Sequence, residues 1–376
     1  MIWNWQQNNW PDFCWTNKEL EEKEAAFLKN SGILIGATTY FNNEDKSLLI
    51  VDILTDEAID TSEIEGEYLN RDSVQSSVRK NFGLQEKNNT RIYPAEYGIA
   101  NMMTNLYQNY NKPLTHTDLY NWHKMLCNGR QDLKDIGRYR THDDPMQIIS
   151  GPLHKQKIHF EAPPSDDVKE AMNQFVKWFN LTSPRSKNHL PALTRAAIAH
   201  LYFVSIHPFE DGNGRIGRAI AEKSLSQSLG QPTLIALSRA IKCNRKAYYN
   251  ALEMNNKSMD INNWIIYFAE TVLDAQNYTQ NMITFLIEKT KLFDKFRDDL
   301  NNRQEKVIGR MFSEGPEGFE GGLSADNYIT ISGTSRATAT RDLQGLVDKG
   351  VFSKTGELKG TRYHLNIKKK EQILLD

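Results

Sequence analysis

The sequence predicts a mainly α-helical protein with one β-hairpin near its middle and a small α/β unit at its C-terminal end. Three observations carry that expectation. Ala196 to Ile206 reads AAIAHLYFVSI, and Ile216 to Leu229 returns to helical spacing, which gives two buried helices joined by a short connection. Ile148, Ile149, Ile158 and Phe160 flank a Ser150-Gly151-Pro152 turn signal, the pattern of a short hairpin. From Leu323 onward, a helix, a glycine turn and a second helix precede residues that alternate like strands.

In chain order, the start is tryptophan-rich, with Trp3, Trp5, Trp10 and Trp15, and a charged helix runs from Asn17 to Asn30. Such tryptophan density points to packing against another helix or a partner, a dimer interface included. A further helix is expected near residues 56–70. On it Thr61 and Glu65, four apart, share one face. Glu63, Glu65 and Glu67 also fit a solvated acidic face. The hairpin lies between GRYR, starting at Gly137, and the double proline ending at Pro164, and a helix from about Asp166 to Asn180 follows it. After the two buried helices comes Ala247-Tyr248-Tyr249-Asn250-Ala251-Leu252, whose aromatic pair fits either a core or a nucleotide box. Glu288 to Glu305 reads as a charged helical connector.

For 376 residues, a prior of about 100–200 residues each gives two to three domains. Hydrophobic residues make up 39%, charged residues 25%, and the net charge is −1, so nothing global calls for nucleic acid or an anionic membrane. MIWNWQQNNWPDFCW has no basic region followed by an apolar one, so no signal peptide is expected, and no run reaches the ~18 apolar residues of a membrane span. Cys14, Cys127 and Cys243 are widely spaced and odd in number, which argues against a disulfide framework or zinc site and fits a reducing cytoplasm.

The chemistry concentrates in His207-Pro208-Phe209-Glu210-Asp211-Gly212-Asn213-Gly214-Arg215-Ile216-Gly217-Arg218. The second buried helix begins near Gly212, and a helix N-terminus offers unpaired N–H groups and the positive end of its dipole to an anion. Gly212 and Gly214 allow close approach to that backbone, so polyphosphate fits the cradle. Asp211 suits Mg²⁺, which binds one or two carboxylates together with substrate phosphates. Arg215 and Arg218 share a face and reach outlying phosphate oxygens. His207 is the group of the run that titrates near neutrality and accepts a proton from a hydroxyl.

The run resembles the Fic family motif HxFx[D/E]GNGRxxR at every fixed position. The resemblance implies transfer of AMP from ATP to a Ser, Thr or Tyr hydroxyl of a target protein. By it, His207 corresponds to the general base, Asp211 to the Mg²⁺ ligand, and the backbone from Gly212 to Arg215 to the anion hole, with Asn213 at the α-phosphate. Arg215 and Arg218 correspond to the arginines on the outer phosphates, and Phe209 to a buried anchor. Gly214, absent from phosphate-transferring relatives, favours adenylylation. Thr61-Ser62-Glu63-Ile64-Glu65-Gly66 is similar to the family's inhibitory [S/T]xxxE[G/N] signal. That likeness implies that Glu65 pairs with Arg218 and keeps ATP from binding productively, or that it positions water to remove AMP from a modified target. The hairpin is similar to the Fic flap, which holds a target segment by strand addition and here would use Ile148, Ile149 and Ile158. Tyr248, Tyr249 and Asn256 resemble the adenine-side residues.

The expected organisation is therefore an N-terminal helical domain at 1–95, a Fic domain at 96–296 with its core at about 114–271, and a C-terminal domain at 297–376. The first segment resembles an uncharacterised domain found ahead of Fic cores. The last resembles a winged helix-turn-helix, with Arg336, Thr338, Thr340 and Arg341 on the exposed side of its second helix. From Arg303 to the end, twelve Lys/Arg face ten Asp/Glu, a weak basic excess for a DNA reader. A DNA-binding regulator with a dormant Fic module thus stands as the alternative to an adenylyltransferase. The partners expected are ATP, a target protein that could be the chain itself, and a second copy of the chain.

Overall fold

The computed structural model describes residues 2–16, 18–39, 41, 43–84, 91–152, 155–313, 315, 319 and 321–367. The chain divides into two compact units, Met1–Asn277 and Tyr278–Asp376. It is mainly helical, with two small antiparallel hairpins among the described residues.

The first unit opens with α1 (Leu20–Thr38), α2 (Asn43–Ile64), α3 (Arg71–Asn81), α4 (Pro94–Asn109) and α5 (His116–Leu126). Asn17, where the sequence starts the first helix, lies outside the described residues. α1 runs past Asn30 because Phe27 and Leu34 continue its buried face. α2 begins earlier than residue 56, since Leu49, Ile50, Val51, Ile53 and Leu54 extend its apolar surface. It stops at Ile64, short of residue 70. Gly66, at φ 85°, takes a left-handed conformation that an L side chain resists, and the N–H groups of Glu65 and Glu67 both turn back to the Ser62 carbonyl at 3.0 Å.

The hairpin follows as β1 (Gln147–Ser150) and β2 (Lys157–Glu161), with Ser150 opposite Lys157 and a register shift between Ile148 and Ile149. Leu153 and His154, between the strands, lie outside the described residues. Then come α6 (Ser165–Leu181), α7 (Ala192–Ile206), α8 (Asn213–Leu229), α9 (Leu237–Cys243), α10 (Arg245–Asn255) and α11 (Asn262–Phe296). α7 is buried along nearly its whole length, and the Glu24 carboxylate of α1 accepts hydrogen bonds from the N–H groups of Leu193 and Thr194 at 3.0 and 2.9 Å. That long-range cap satisfies donors which a buried helix start leaves without intrahelical partners.

The first 95 residues, which read in the sequence as a domain of their own, share one core with the rest of this unit. Leu54 and Ala58 of α2 belong to the same buried cluster as Phe203, Ile206, Phe209 and Ile216. The tryptophans also find partners within the chain. Trp3 packs edge-on against Phe160 of β2 at 5.4 Å, and Trp10 packs against Tyr202 of α7 at 5.2 Å.

The stretch read as a connector is instead split between the end of α11 and the start of α12 (Asn302–Ser313). The second unit continues with α13 (Ala325–Ser332), a left-handed Gly333, and α14 (Arg336–Asp348), whose N-cap Ser335 accepts from the Thr338 N–H. Ala339, Leu343 and Leu346 are buried, and Arg336, Thr340 and Arg341 are exposed. β3 (Phe352–Thr355) and β4 (Arg362–Leu365) close the unit as an antiparallel pair. Among the described residues, no helix is long and apolar enough to cross a membrane.

Candidate functional site

α7 hands the chain to the loop through a strained residue. His207, its C-cap, sits at φ 51°, a left-handed value uncommon for a residue with a side chain. The surroundings hold it there. Its N–H donates to the Phe203 carbonyl at 3.0 Å, and its own carbonyl accepts from Arg140 Nε at 2.9 Å. Nδ1 lies 3.2 Å from the Val204 carbonyl, an acceptor only, so Nδ1 carries the hydrogen and Nε2 keeps a free lone pair. Burial lowers the imidazole pKa to about 4; Arg140 adds to that, against the opposing hydrogen bond to Val204. The ring is therefore neutral and able to accept a proton at neutral pH.

The loop itself is pinned at several points. Phe209 is fully buried and stacks on His123 at 4.2 Å between ring centroids. Asn213 spends its side chain on Phe209, accepting from its N–H at 3.0 Å and donating to its carbonyl at 2.8 Å. That leaves the backbone, and not the carboxamide, to meet an anion. Glu210 accepts from the N–H groups of Lys134 and Asp135 at 2.8 and 3.0 Å.

α8 begins at Asn213, with Gly212 as its N-cap. A Cβ on Gly214 would stand 2.2 Å from Glu65 Oε1 and 3.2 Å from Arg218 Nη1, so only glycine fits there while Glu65 is in place. The Glu65 carboxylate thus lies against the first turn of α8, where the helix end attracts negative charge.

The convergence on Arg218 is close. Its Nε donates to Thr61 Oγ1 at 2.7 Å, and its Nη2 donates to the Thr61 carbonyl at 2.8 Å and to Glu65 Oε1 at 2.7 Å. Burial alone would lower the guanidinium pKa, yet Glu65 raises it above its ordinary value. Thr61 and Glu65 meet the arginine together, although Glu65 stands just past the end of α2 instead of on it. Tyr249 donates its hydroxyl to Glu65 Oε2 at 3.3 Å, and Tyr248, buried, pairs with His200 Nε2 at 3.0 Å. Arg215 is paired too, with Glu67, a residue that the sequence left on a solvated face. The two buried guanidinium groups still hold donors without a hydrogen-bond partner, Arg215 Nε and Arg218 Nη1.

Asp211 accepts from the Gly212 N–H at 2.6 Å and from Arg130 Nη1 at 2.8 Å, with Arg215 Nη2 at 3.5 Å. Burial opposes its ionisation, but Arg215, the Gly212 N–H and Arg130 outweigh it and hold the pKa below the ordinary value. Among the described residues no cluster of three or more His, Cys, Asp or Glu could hold a metal alone. A single ionised carboxylate beside unpartnered arginine donors fits Mg²⁺ that arrives on a nucleotide and takes its other ligands from phosphate and water.

Glu65, His207, Glu210, Asp211 and Gly212 to Gly214 border one cavity of about 640 Å³, which also takes in Ile148 and Ile149 of the hairpin, Tyr248, Tyr249 and Asn256, while Arg215 and Arg218 are not among the residues lining it. Ile158 is exposed but is not among the residues lining it. Asn256 donates to the His159 carbonyl at 2.9 Å and keeps a buried Oδ1 without a partner. Sequence reasoning missed Glu67, Arg130 and Arg140. Arg140 is buried, donates to the His207 carbonyl and to Ser165 Oγ, and its N–H reaches the Pro208 carbonyl at 2.9 Å. The arginine-rich GRYR stretch was the available signal.

Residues 113–225 match the Fic/DOC family, and residues 3–84 match a domain of unknown function, DUF4172. The span similar to the Fic/DOC family includes α7, the loop and most of α8. It is 31% identical over 145 residues to the protein adenylyltransferase Fic of Drosophila mojavensis, a match covering 37% of this chain and 27% of that one. The same identity and length hold for the protein adenylyltransferase Fic of Drosophila grimshawi, with 28% of that chain covered. The chain thus spans between a quarter and a third of these relatives. Its fold is similar to that of a Fic family protein from Desulfovibrio desulfuricans G20, with a TM-score of 0.52 at 20% identity, over 94% of this chain and 98% of the other.

Proposed function

We propose that this protein transfers AMP from ATP to a hydroxyl side chain of a target protein and that Glu65 holds the activity down. The observation that carries the reading is the Glu65 carboxylate seated against Gly214 and on Arg218. A carboxylate in an anion cradle stands in for the phosphate that the cradle would otherwise hold.

In this reading the target hydroxyl attacks the α-phosphorus, the bond from that phosphorus to the bridging oxygen breaks and pyrophosphate leaves, and His207 Nε2, neutral at pH 7, takes the hydroxyl proton. The N–H groups at the start of α8 receive the α-phosphate, and Arg215 and Arg218 hold the outer phosphates, using donors that now lack partners. Asp211 would hold Mg²⁺, which supplies charge neutralisation on the phosphates. Asn256 Oδ1 fits an amino donor such as that of adenine, and Tyr248 and Tyr249 flank it. The exposed Ile148 and Ile149 mark the edge along which a target strand would lie, with Ile158 on the neighbouring strand. Glu67 on Arg215 acts as a second inhibitory carboxylate beside Glu65 on Arg218, with Thr61 fixing the arginine. For the second unit, the order of α12, α13, α14 and a hairpin supports a winged-helix reading.

The test incubates wild type, Glu65→Gly and the Glu65→Gly/His207→Ala double variant with α-labelled ATP, Mg²⁺ and a cell lysate, then reads label on protein. Label should rise in Glu65→Gly and vanish in the double variant. Equal labelling in all three would overturn the reading.

A further inference from the structure

Three pieces that border the cavity, the end of α7, the loop at Asn256 and the hairpin, are tied to one short stretch near the start of the chain. There a single 3-10 turn, Asn4–Gln6, follows Trp3. Asn4 is fully buried, so its polar groups need partners within the protein. Its Nδ2 donates at 2.9 Å to Oγ of Ser205, on the last turn of α7 and two residues before His207. Its Oδ1 accepts from the Trp5 N–H at 2.8 Å, which fixes the turn, and its own N–H donates to the Asn256 carbonyl at 2.8 Å.

The residues around Asn4 extend the same tie. Trp5 Nε1 donates to the Glu161 carbonyl of β2 at 2.6 Å, and Trp3, buried, packs edge-on against Phe160. Gln7 Nε2 donates to the Lys257 carbonyl at 2.7 Å. Asn256 in turn donates Nδ2 to the His159 carbonyl at 2.9 Å, so the loop and the hairpin are also joined to each other. The side-chain bonds of Asn4, Trp5 and Gln7 span 201, 156 and 250 residues of chain. None of them is needed to form a local turn. What they do is locate distant parts relative to one another.

We propose that Asn4 is a positioning residue of the transfer site, holding the end of α7 that bears His207 against the loop that bears Asn256, and that Trp5 sets the hairpin on the same mount. The inference rests on the AMP-transfer reading of the cavity. Asn4 and Trp5 are not among the residues lining the cavity, so each acts through others, Asn4 through Ser205 and the Asn256 backbone, Trp5 through β2. Base, nucleotide and target hydroxyl must meet in line, and a misplacement of about 1 Å in such a set costs about a hundredfold in rate. Both residues lie in the span similar to DUF4172, which also contains Glu65. That span then has two opposed roles, occupying Arg218 and assembling the site that Arg218 serves. Loss of Glu65 alone releases activity, whereas loss of the whole span does not.

The experiment uses the full chain in the Glu65→Gly background with α-labelled ATP, Mg²⁺ and a cell lysate, taking initial rates while ATP or total lysate protein is varied. Asn4→Leu removes both side-chain hydrogen bonds at similar volume and should raise the KM for ATP about tenfold, the scale of one buried hydrogen bond lost. Trp5→Phe keeps an aromatic ring without the donor to β2. It should raise the apparent KM for lysate protein about fivefold and leave the KM for ATP unchanged. Ser205→Ala removes the Asn4 contact from the α7 side, so it should shift the KM for ATP as Asn4→Leu does and add little to it in the double variant. It also keeps the test decisive if Asn4→Leu fails to fold. Lower melting temperatures with both KM values unmoved would show that the turn only stabilises the fold, and would overturn the inference while leaving the transfer reading intact. If Glu65→Gly labels no protein at all, the transfer reading falls and this inference with it.

Discussion

The loop from His207 to Arg218 and the flap from Gln147 to Glu161 border one cavity, yet they are built by opposite rules. The loop is buried and pinned at nearly every residue: Phe209 beneath it, Asn213 across it, Glu210 and Arg140 around it. The flap leaves Ile148, Ile149 and Ile158 exposed and is braced mainly at its base, where Trp5 Nε1 donates to the Glu161 carbonyl at 2.6 Å, and at Glu253. In the proposed transfer the contrast separates two tasks. Groups that stabilise charge at phosphorus must stand in place before the reaction, because reorganisation at that moment raises the barrier. An edge that accepts varied strands has no need of a fixed side-chain mould.

The largest effect should come from breaking the loop. In the Glu65→Gly background, His207→Ala should lower transfer at least about a hundredfold while leaving the circular dichroism spectrum and the melting curve unchanged. Undiminished transfer would remove His207 as the base. The buried setting of His207 also fixes a pH dependence. The base must be neutral, so activity is retained above its pKa, and with that pKa lowered to about 4 the rate in Glu65→Gly should hold level from pH 8 to well below 6.5. An acid limb centred near 6.5 in the kcat/KM profile would mean that the imidazole is solvated as a surface histidine is.

Freeing the arginines comes next. Glu65→Gly should raise transfer by about tenfold, equivalent to about 1.4 kcal/mol of competition removed from Arg218. Adding Glu67→Gln should give a smaller further gain, about threefold, since Glu67 is more exposed and its pairing more screened. Rates of label transfer from ATP in wild type and in the single and double variants read both, and no gain from Glu67→Gln would sink the second clamp. At the flap the smallest effect is expected. Replacing the exposed Ile148 and Ile149 with Asn should change stability by no more than about 0.5 kcal/mol per site by urea denaturation, with any loss in transfer appearing in the KM for target. A larger destabilisation would show that the flap is as firmly built as the loop.

How much of this was legible in the sequence follows from the distance over which each feature is specified. α7, the loop and the start of α8 are local, so apolar spacing, two glycines and a histidine were enough to locate them. The hairpin, set by a turn and alternating apolar residues, was legible for the same reason. Glu67 meets Arg215 across 148 residues of chain, Arg130 meets Asp211 across 81, and Arg140 meets the His207 carbonyl across 67, and no local pattern announces such partners. Glu67 in particular looked like one acidic residue among several. Gly66 is what turns it, with Glu65, off the end of α2 toward the arginines. That the first 95 residues share their core with the rest of the unit was not legible for a related reason, because a sequence does not say against what an apolar face will pack.

Glu65 stands just past the end of α2, a helix embedded in the core of the first unit, and in the proposed mechanism that makes it an unusual kind of competitor. A free inhibitor weakens on dilution and strengthens when more of it is made. A tethered carboxylate faces its arginine at a constant effective concentration, whatever the amount of protein in the cell. In the proposed mechanism, basal output per molecule would therefore be indifferent to expression level. It would respond to the nucleotide supply and to whatever binds near the Gly66 turn, so a partner that shifted this turn by a small amount would act as a switch without moving the helix.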